Sequence, residues 1–241
     1  MMSGLEVRGL RVSVNGKLVL RGVDLEVPPG VIVGLIGPNG SGKTSLAYSI
    51  MGHPLYRVEE GEITLDGEVI NHLKTEERAS RGLFLVFQSP PEIGGLPVSV
   101  FLREVLARRG VEVGEEALSM YMREVGLGEE YLSRYVHEGF SGGEKRRFEF
   151  LQALLFKPKI LIVDELDSGL DLEGVKSLTG KVRELAESGA GVLYISHNPL
   201  ALRTLRPHRI VVLVDGKVRA AGGLELLDEV EEKGYQVVLG E

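Results

Sequence analysis

Gly37-Pro38-Asn39-Gly40-Ser41-Gly42-Lys43-Thr44 is the stretch that decides the fold. Its spacing, G-x-x-x-x-G-K-[ST], is that of a loop that holds phosphate. The residue types follow from that task. Glycines let the backbone curl until several N–H groups converge on one anion. A helix start behind the loop adds partial positive charge. Lys43 reaches the β- and γ-phosphates, and the Thr44 hydroxyl is placed to ligate Mg²⁺. The flanks agree. Val31-Ile32-Val33-Gly34-Leu35-Ile36 reads as a buried strand, and Ser45 to Met51 as a helix ending at Gly52. Strand, loop and helix in that order are the context the motif requires.

The rest of the chain sets bounds on what such a loop serves. With 241 residues it is long enough for one large core, or a core plus a small lobe. The net charge of −7 argues against nucleic acid or anionic lipid as the main partner. There is no cysteine, so disulfides and a thiolate-held iron–sulfur cluster within this chain are excluded. Met1-Met2-Ser3-Gly4-Leu5-Glu6 lacks the apolar core of a signal peptide. No run approaches the ~20 apolar residues of a membrane span. A soluble, cytoplasmic protein without direct membrane insertion is expected.

Ahead of the loop, apolar residues alternate: Leu5, Val7, Leu10, Val12 and Val14, then Leu18, Leu20, Val23, Leu25 and Val27. Asn15-Gly16 between the two sets is a hairpin signal. An antiparallel sheet is therefore expected before the loop strand. Gly61 to Ile70 reads as a second short hairpin turning at Asp66-Gly67, and a small helix is expected near Thr75. Leu83 to Phe87 reads as a strand ending at Gln88. The Pro- and Gly-rich residues 89–97 are expected to form a linker or hinge without regular structure. Helical periodicity follows over 98–108, 115–125 and 129–136, as if in a separate lobe.

The later chain supplies acids and another helix start. Ser141 and Glu144 form an S-x-x-E capping box before a long helix through Phe156. Gly142 and Gly143 leave that helix start open to an anion. Ile160-Leu161-Ile162-Val163 delivers Asp164 and Glu165 at a strand end. Beside a phosphate loop, that arrangement lets Asp164 hold a Mg²⁺ shell and Glu165 orient or deprotonate a water. Ser168-Gly169-Leu170-Asp171 leads into a helix ending at Gly189. Val192 to Ile195 is the next strand, with His197 just past its C-terminal end, where α/β folds bind ligands. A final hairpin over 210–218 and an acidic helix over 223–232 complete the chain.

In this order, the loop, Gln88, S-G-G-E, I-V-D-E, S-G-L-D and His197 resemble an ABC-family ATPase domain over nearly the whole chain. The resemblance implies an α/β P-loop NTPase fold: a RecA-like core, an antiparallel β lobe and an α-helical lobe. Residues 1–241 would form a single domain, with 1–88 and 158–241 as core and β lobe, and 89–157 as hinge and helical lobe. It implies ATP and Mg²⁺ as cofactors. Gly37, Pro38, Asn39, Gly40, Ser41, Gly42, Lys43, Thr44 and Ser45 would hold phosphate, with Gln88 as the Q-loop glutamine. Thr44, Gln88 and Asp164 would serve the metal, and Lys43, Glu165 and His197 catalysis. Ser141, Gly142, Gly143 and Glu144 would be the signature motif and Asp171 the D-loop acid, acting across an ATP-dependent self-dimer.

A narrower resemblance lies in Phe87 to Ile93, Gly139 to Lys145, Asp164 to Asp171 and the tail Glu231-Glu232-Lys233-Gly234-Tyr235. These look like SufC, the family of ATPases in SUF iron–sulfur cluster assembly. It implies SufB-like and SufD-like scaffold subunits as partners. Asp167 carries part of this likeness, because transporter ATPases usually have Thr there. The chain departs from the ABC pattern at Val14, where the family has an aromatic for adenine; Tyr56 is the candidate substitute. Two other readings stay open at this point: a transporter subunit docked on a membrane protein, and a nucleotide sensor with little turnover. Glu165 and His197 argue against the sensor.

Overall fold

The computed structural model describes residues 4–88, 90–108 and 110–239. Met1-Met2-Ser3 and Ser89, the first residue of the expected linker, lie outside the described residues. β1 (Leu5–Val14) and β2 (Lys17–Val27) form the expected hairpin. Asn15 and Gly16 both take positive φ, 51° and 77°, the twist that suits a two-residue hairpin turn. β3 (Ile32–Ile36) follows, then the phosphate loop, then α1 (Lys43–Met51). The helix begins two residues before the expected Ser45. Gly52 stops it with φ 76°, its N–H returning to Ser49 and Tyr48 carbonyls.

β4 (Tyr56–Leu65) and β5 (Glu68–Val69) return to β1, giving an antiparallel sheet in the order β2-β1-β4-β5. β4 starts earlier than its turn signal alone predicts, because its first residues pair with the end of β1. α2 (Thr75–Ser80) stands where the small helix is expected, and β6 (Leu83–Val86) follows.

The linker is more ordered than its composition predicts. β7 (Ile93–Pro97) pairs antiparallel with β8 (Tyr135–Val136). Pro97 is tolerated because it ends a two-stranded ladder and interrupts no interior rung. α3 (Val98–Ala107) and α4 (Glu115–Glu124) match two of the helical stretches. The third, 129–136, is not an α-helix. It is a 3₁₀ turn over Glu129–Ser133 followed by β8. Arg134 turns extended there, and its carbonyl accepts the Val98 N–H at the start of α3 (2.9 Å). A tertiary bond has overridden local periodicity.

α5 (Gly142–Phe156), β9 (Ile160–Asp164), α6 (Leu172–Glu187), β10 (Gly191–Ile195), α7 (Pro199–Leu205), β11 (Arg209–Val214), β12 (Lys217–Gly222) and α8 (Leu224–Lys233) complete the chain. The second sheet has six strands in the order β12-β11-β3-β10-β9-β6, parallel except for β12. β3, β9 and β10 are buried along their whole length, as central parallel strands covered on both faces must be.

Strand alternation divides the core into two layers. Leu193 and Ile195 face α1 and the β lobe, beside Leu46, Ile50, Leu20 and Val12. Val192 and Tyr194 face the other way, among Phe148, Leu178, Leu202 and Leu227 of the later helices. Leu102 and Leu118, from α3 and α4, belong to this second layer. No helix among the described residues is long and apolar enough to cross a membrane.

Candidate functional site

Every parallel strand ends on the same edge of the six-stranded sheet, where α/β folds bind ligands. Strand order thus sets the order of site residues. Asp215 and Gly216 follow β11, the phosphate loop follows β3, His197 follows β10, Glu165 follows β9 and Gln88 follows β6. An open cleft of about 1320 Å³ runs along this edge and is lined by all of them.

The loop is shaped for an anion. Gly40 and Gly42 have φ of 78° and 108°, and no side chain caps the start of α1. Its first N–H groups are left for a ligand. Gly37 is required for a different reason: a Cβ there would lie 2.1 Å from the Leu213 carbonyl oxygen. Lys43 is buried, and its ammonium donates to the carbonyls of Gly37 (2.7 Å) and Pro38 (3.0 Å). Burial lowers its pKa, opposed by the nearby carboxylates of Glu165 and Asp164. The Ser41 hydroxyl is buried without a partner among the described residues.

Asp164 is 3% exposed, and burial pushes its pKa up to about 6, opposed by a hydrogen bond from Thr44. Its Oδ1 has no partner among the described residues. An unsatisfied buried carboxylate oxygen is costly, and a bound cation relieves it. Thr44 and Asp164 offer hard oxygens, and Mg²⁺ usually takes one or two protein ligands beside phosphate and water. The described residues contain no group of three or more His, Cys, Asp or Glu able to hold a metal unaided. The donor set therefore fits Mg²⁺ bound together with a nucleotide.

Glu165 has φ 54°, in the left-handed region, so the chain turns sharply straight after β9. The turn presents its carboxylate to two neighbours. Gln88 Nε2 donates to one oxygen, and His197 Nδ1 stands 3.0 Å from the other. Three residues from three strand ends thus meet at one end of the cleft.

The opposite end is walled by β2 and the start of β12. Lys17, Arg21, Lys217 and Arg219 line it, a local positive field in a chain of net −7. Tyr56 pairs with Val14 across the β lobe, yet it does not line the cleft. It stacks on Tyr48 (5.4 Å, 7°) and meets His53 edge-on. The aromatic that does line the cleft is Tyr235, beyond the end of α8. Gly234 (φ 73°) breaks the helix and turns Tyr235 toward Gly37. Burial raises the phenol pKa, opposed by the Gly37 backbone N–H. Sequence reasoning missed Tyr235 and the cationic rim. The signals at Tyr235 were its place in the tail that resembles SufC and the helix-breaking glycine before it; neither pointed to the cleft.

Ser141 to Glu144 and Asp171 do not line the cleft. The capping box is formed: Ser141 N–H donates to Glu144 (2.8 Å), and Ser141 Oγ accepts from Glu144 N–H (3.3 Å). Asp171 caps α6 through the Gly174 N–H (2.8 Å). Within one chain these residues form a separate, largely exposed surface. Lys145 on the same helix pairs with Glu92 of the linker at 2.7 Å. The linker is thereby tied to the second helix start.

Comparison with known proteins gives the same frame. A family model described as "ABC transporter" matches residues 20–168. "Vegetative protein 296" of Bacillus subtilis is 39% identical over 97% of this chain and 92% of its own length. A "Probable ATP-dependent transporter" of Cyanophora paradoxa is 39% identical over 96% of this chain and 93% of its own. A solved "ATP binding subunit of ABC transporter" superposes with TM-score 0.80 at 28% identity, over 97% of this chain and 94% of that one. An ATP-binding cassette in its ADP conformation, 23% identical, shares the fold over the full length of both chains, with TM-score 0.78. With the P-loop NTPase fold, the cleft and these matches in agreement, the chain belongs to the ABC transporter family, as one of its ATPase domains.

Proposed function

We propose that this chain is a soluble motor that hydrolyses MgATP at a site shared by two copies, and so reshapes a SufB/SufD-type iron–sulfur scaffold. The observation that carries the chemistry is the meeting of Gln88, Glu165 and His197 at one end of the phosphate loop. Loop amides and Lys43 hold the phosphates. The cationic rim receives the nucleoside end, so the γ-phosphate points at Glu165. Glu165 accepts a proton from the attacking water, and His197, 3.0 Å away, fixes its carboxylate. Gln88 reports on the γ-phosphate and leads directly into the linker. When bound, Mg²⁺ neutralises charge developing on the phosphate oxygens, with Thr44, Asp164 and Gln88 as its side of the site.

The separation of the Ser141 helix start from the cleft supports a shared site. Among the described residues, no second helix start faces the phosphate loop across the cleft, and the Ser141 helix start lies outside the cleft. Two copies in opposed orientation bring the two together. Ser141→Arg is expected to abolish turnover while leaving ATP binding by the monomer nearly normal. Mixing it with Lys43→Ala restores part of the activity, because one mixed site then has both halves intact. Full turnover by Ser141→Arg, linear in protein concentration and with no dimer in ATP, sinks the shared site.

The scaffold assignment rests on the likeness of residues 87–93, 139–145, 164–171 and 231–235 to SufC, with a cysteine-free motor leaving cluster ligation to its partners. The Glu92–Lys145 pair supports coupling, since it joins the Q-loop linker to the signature helix. Co-purification tests the assignment. SufB-like and SufD-like chains are expected; recovery of a membrane permease in their place overturns it.

A further inference from the structure

Asp167 is a buried acid that the chemistry above does not use. It is 4% exposed and lies two residues past Glu165, on the loop that leads to the cap of α6. Both its oxygens are occupied. The Tyr194 hydroxyl donates to one (3.1 Å) and the Ser196 hydroxyl to the other (3.0 Å). Tyr194 and Ser196 are themselves fully buried, on β10 and at its end. Burial, reinforced by the Asp167 charge, holds the Tyr194 phenol well above its ordinary pKa, so it remains a donor. Ser196 Oγ in turn accepts the Asn198 N–H (2.9 Å), and Asn198 Oδ1 caps α7 by accepting from Leu200 N–H (3.0 Å).

The chain of bonds encloses His197 on both sides. Ser196 before it is tied to Asp167, and Asn198 after it is tied to Ser196. Glu165 is tied to β10 by a backbone bond of its own. Its N–H donates to the Ile195 carbonyl (3.0 Å), and the tight turn 165–168 closes through the Ser168 N–H (3.2 Å). One buried carboxylate, on the loop that follows Glu165, thus bonds to β10 and to the residue before His197; the Glu165 and His197 side chains face each other at 3.0 Å.

We infer that Asp167 is a positioning residue that sets Glu165 and His197 at their working separation, through Ser196 and Tyr194. A satisfied buried network of this kind has one low-energy arrangement, because any shift strands a donor or an acceptor out of water. The backbone bonds at these strand ends fix the main chain, whereas the network fixes the side chains beneath it. The inference rests on the proposed roles of Glu165 and His197, and the experiment separates the two.

Asp167→Asn keeps shape but replaces one accepting oxygen with an N–H₂ donor, so one of the two buried hydroxyls must turn to accept and its own proton loses its acceptor. Turnover at saturating ATP is expected to fall on the order of tenfold to a hundredfold, the scale of a small misplacement of reacting groups. ATP affinity by calorimetry should stay within about twofold, since the phosphate loop is untouched. Ser196→Ala removes one bond and should act in the same direction with smaller size; it also decides the matter if Asp167→Asn does not fold. The double variant should be no worse than Asp167→Asn alone, because both break one network. The His197 imidazole signals, followed by NMR in the full-length protein, give a readout that loss of stability would not move. They should shift in Asp167→Asn and Ser196→Ala. Unshifted signals in the folded variants overturn the positioning role. Shifted signals with wild-type turnover keep that role and overturn the catalytic reading of Glu165 and His197.

Discussion

Glu165→Gln is expected to lower steady-state ATP turnover by about 10²- to 10⁴-fold, the usual worth of a positioned general base. Nucleotide binding should survive within a few-fold. Glutamine keeps the length and the planar end of the side chain, so the turn after β9 need not move. It cannot take a proton from water. It also presents an N–H₂ either to the Gln88 amide or to His197, both of which now face a carboxylate oxygen. The variant should therefore trap the state before hydrolysis. In MgATP it should elute as a dimer by size-exclusion chromatography, whereas the wild type returns to smaller species as ATP is consumed. Wild-type turnover in Glu165→Gln would move the base elsewhere.

Lys43→Ala should act one step earlier, on binding. The ammonium is held across the loop by the Gly37 and Pro38 carbonyls, where the proposed site puts the β- and γ-phosphates. Each charge-assisted hydrogen bond lost is worth about 1.5–3 kcal/mol, on the order of tenfold to a hundredfold in affinity. The two loop carbonyls also lose their donor, so the loop itself is less well formed. Calorimetric titration with MgATP measures the result. Unchanged affinity would refute the assignment. Burial already costs the Lys43 charge part of its solvation, and Asp164 and Glu165 restore some of it. A bound polyphosphate supplies the rest, which is why this residue is worth more than a surface lysine.

The parts legible in the sequence share one physical property: they are local. The phosphate loop, the Asn15-Gly16 turn, the Ser141–Glu144 cap and the apolar strands ending in Asp164 and His197 are each set by residues within about a turn or strand of one another. Backbone sterics, capping and side-chain period act at that range. Composition over a longer stretch was already less reliable. Pro- and Gly-rich residues 89–97 were expected to lack regular structure, yet Ile93 to Pro97 pairs with Tyr135 and Val136. Helical periodicity over 129–136 lost to an extended Arg134 that bonds the start of α3.

Residue types at local spacing therefore determined the phosphate loop, the strand-end acids, the second helix start and, through their order, the family. Tertiary structure alone decided how these meet. Strand order β12-β11-β3-β10-β9-β6 puts Gln88, Glu165 and His197, far apart in the chain, around one carboxylate. It leaves Tyr56 stacked on Tyr48 beyond the cleft and brings Tyr235, near the other end of the chain, to Gly37. It also buries Asp167 against Tyr194 and Ser196, on the strand that leads to His197. Outside the hairpins, short-range preferences carry no information on which strands become neighbours. That choice comes from burying two apolar layers at once on opposite faces of a single sheet, and only the whole chain can make it.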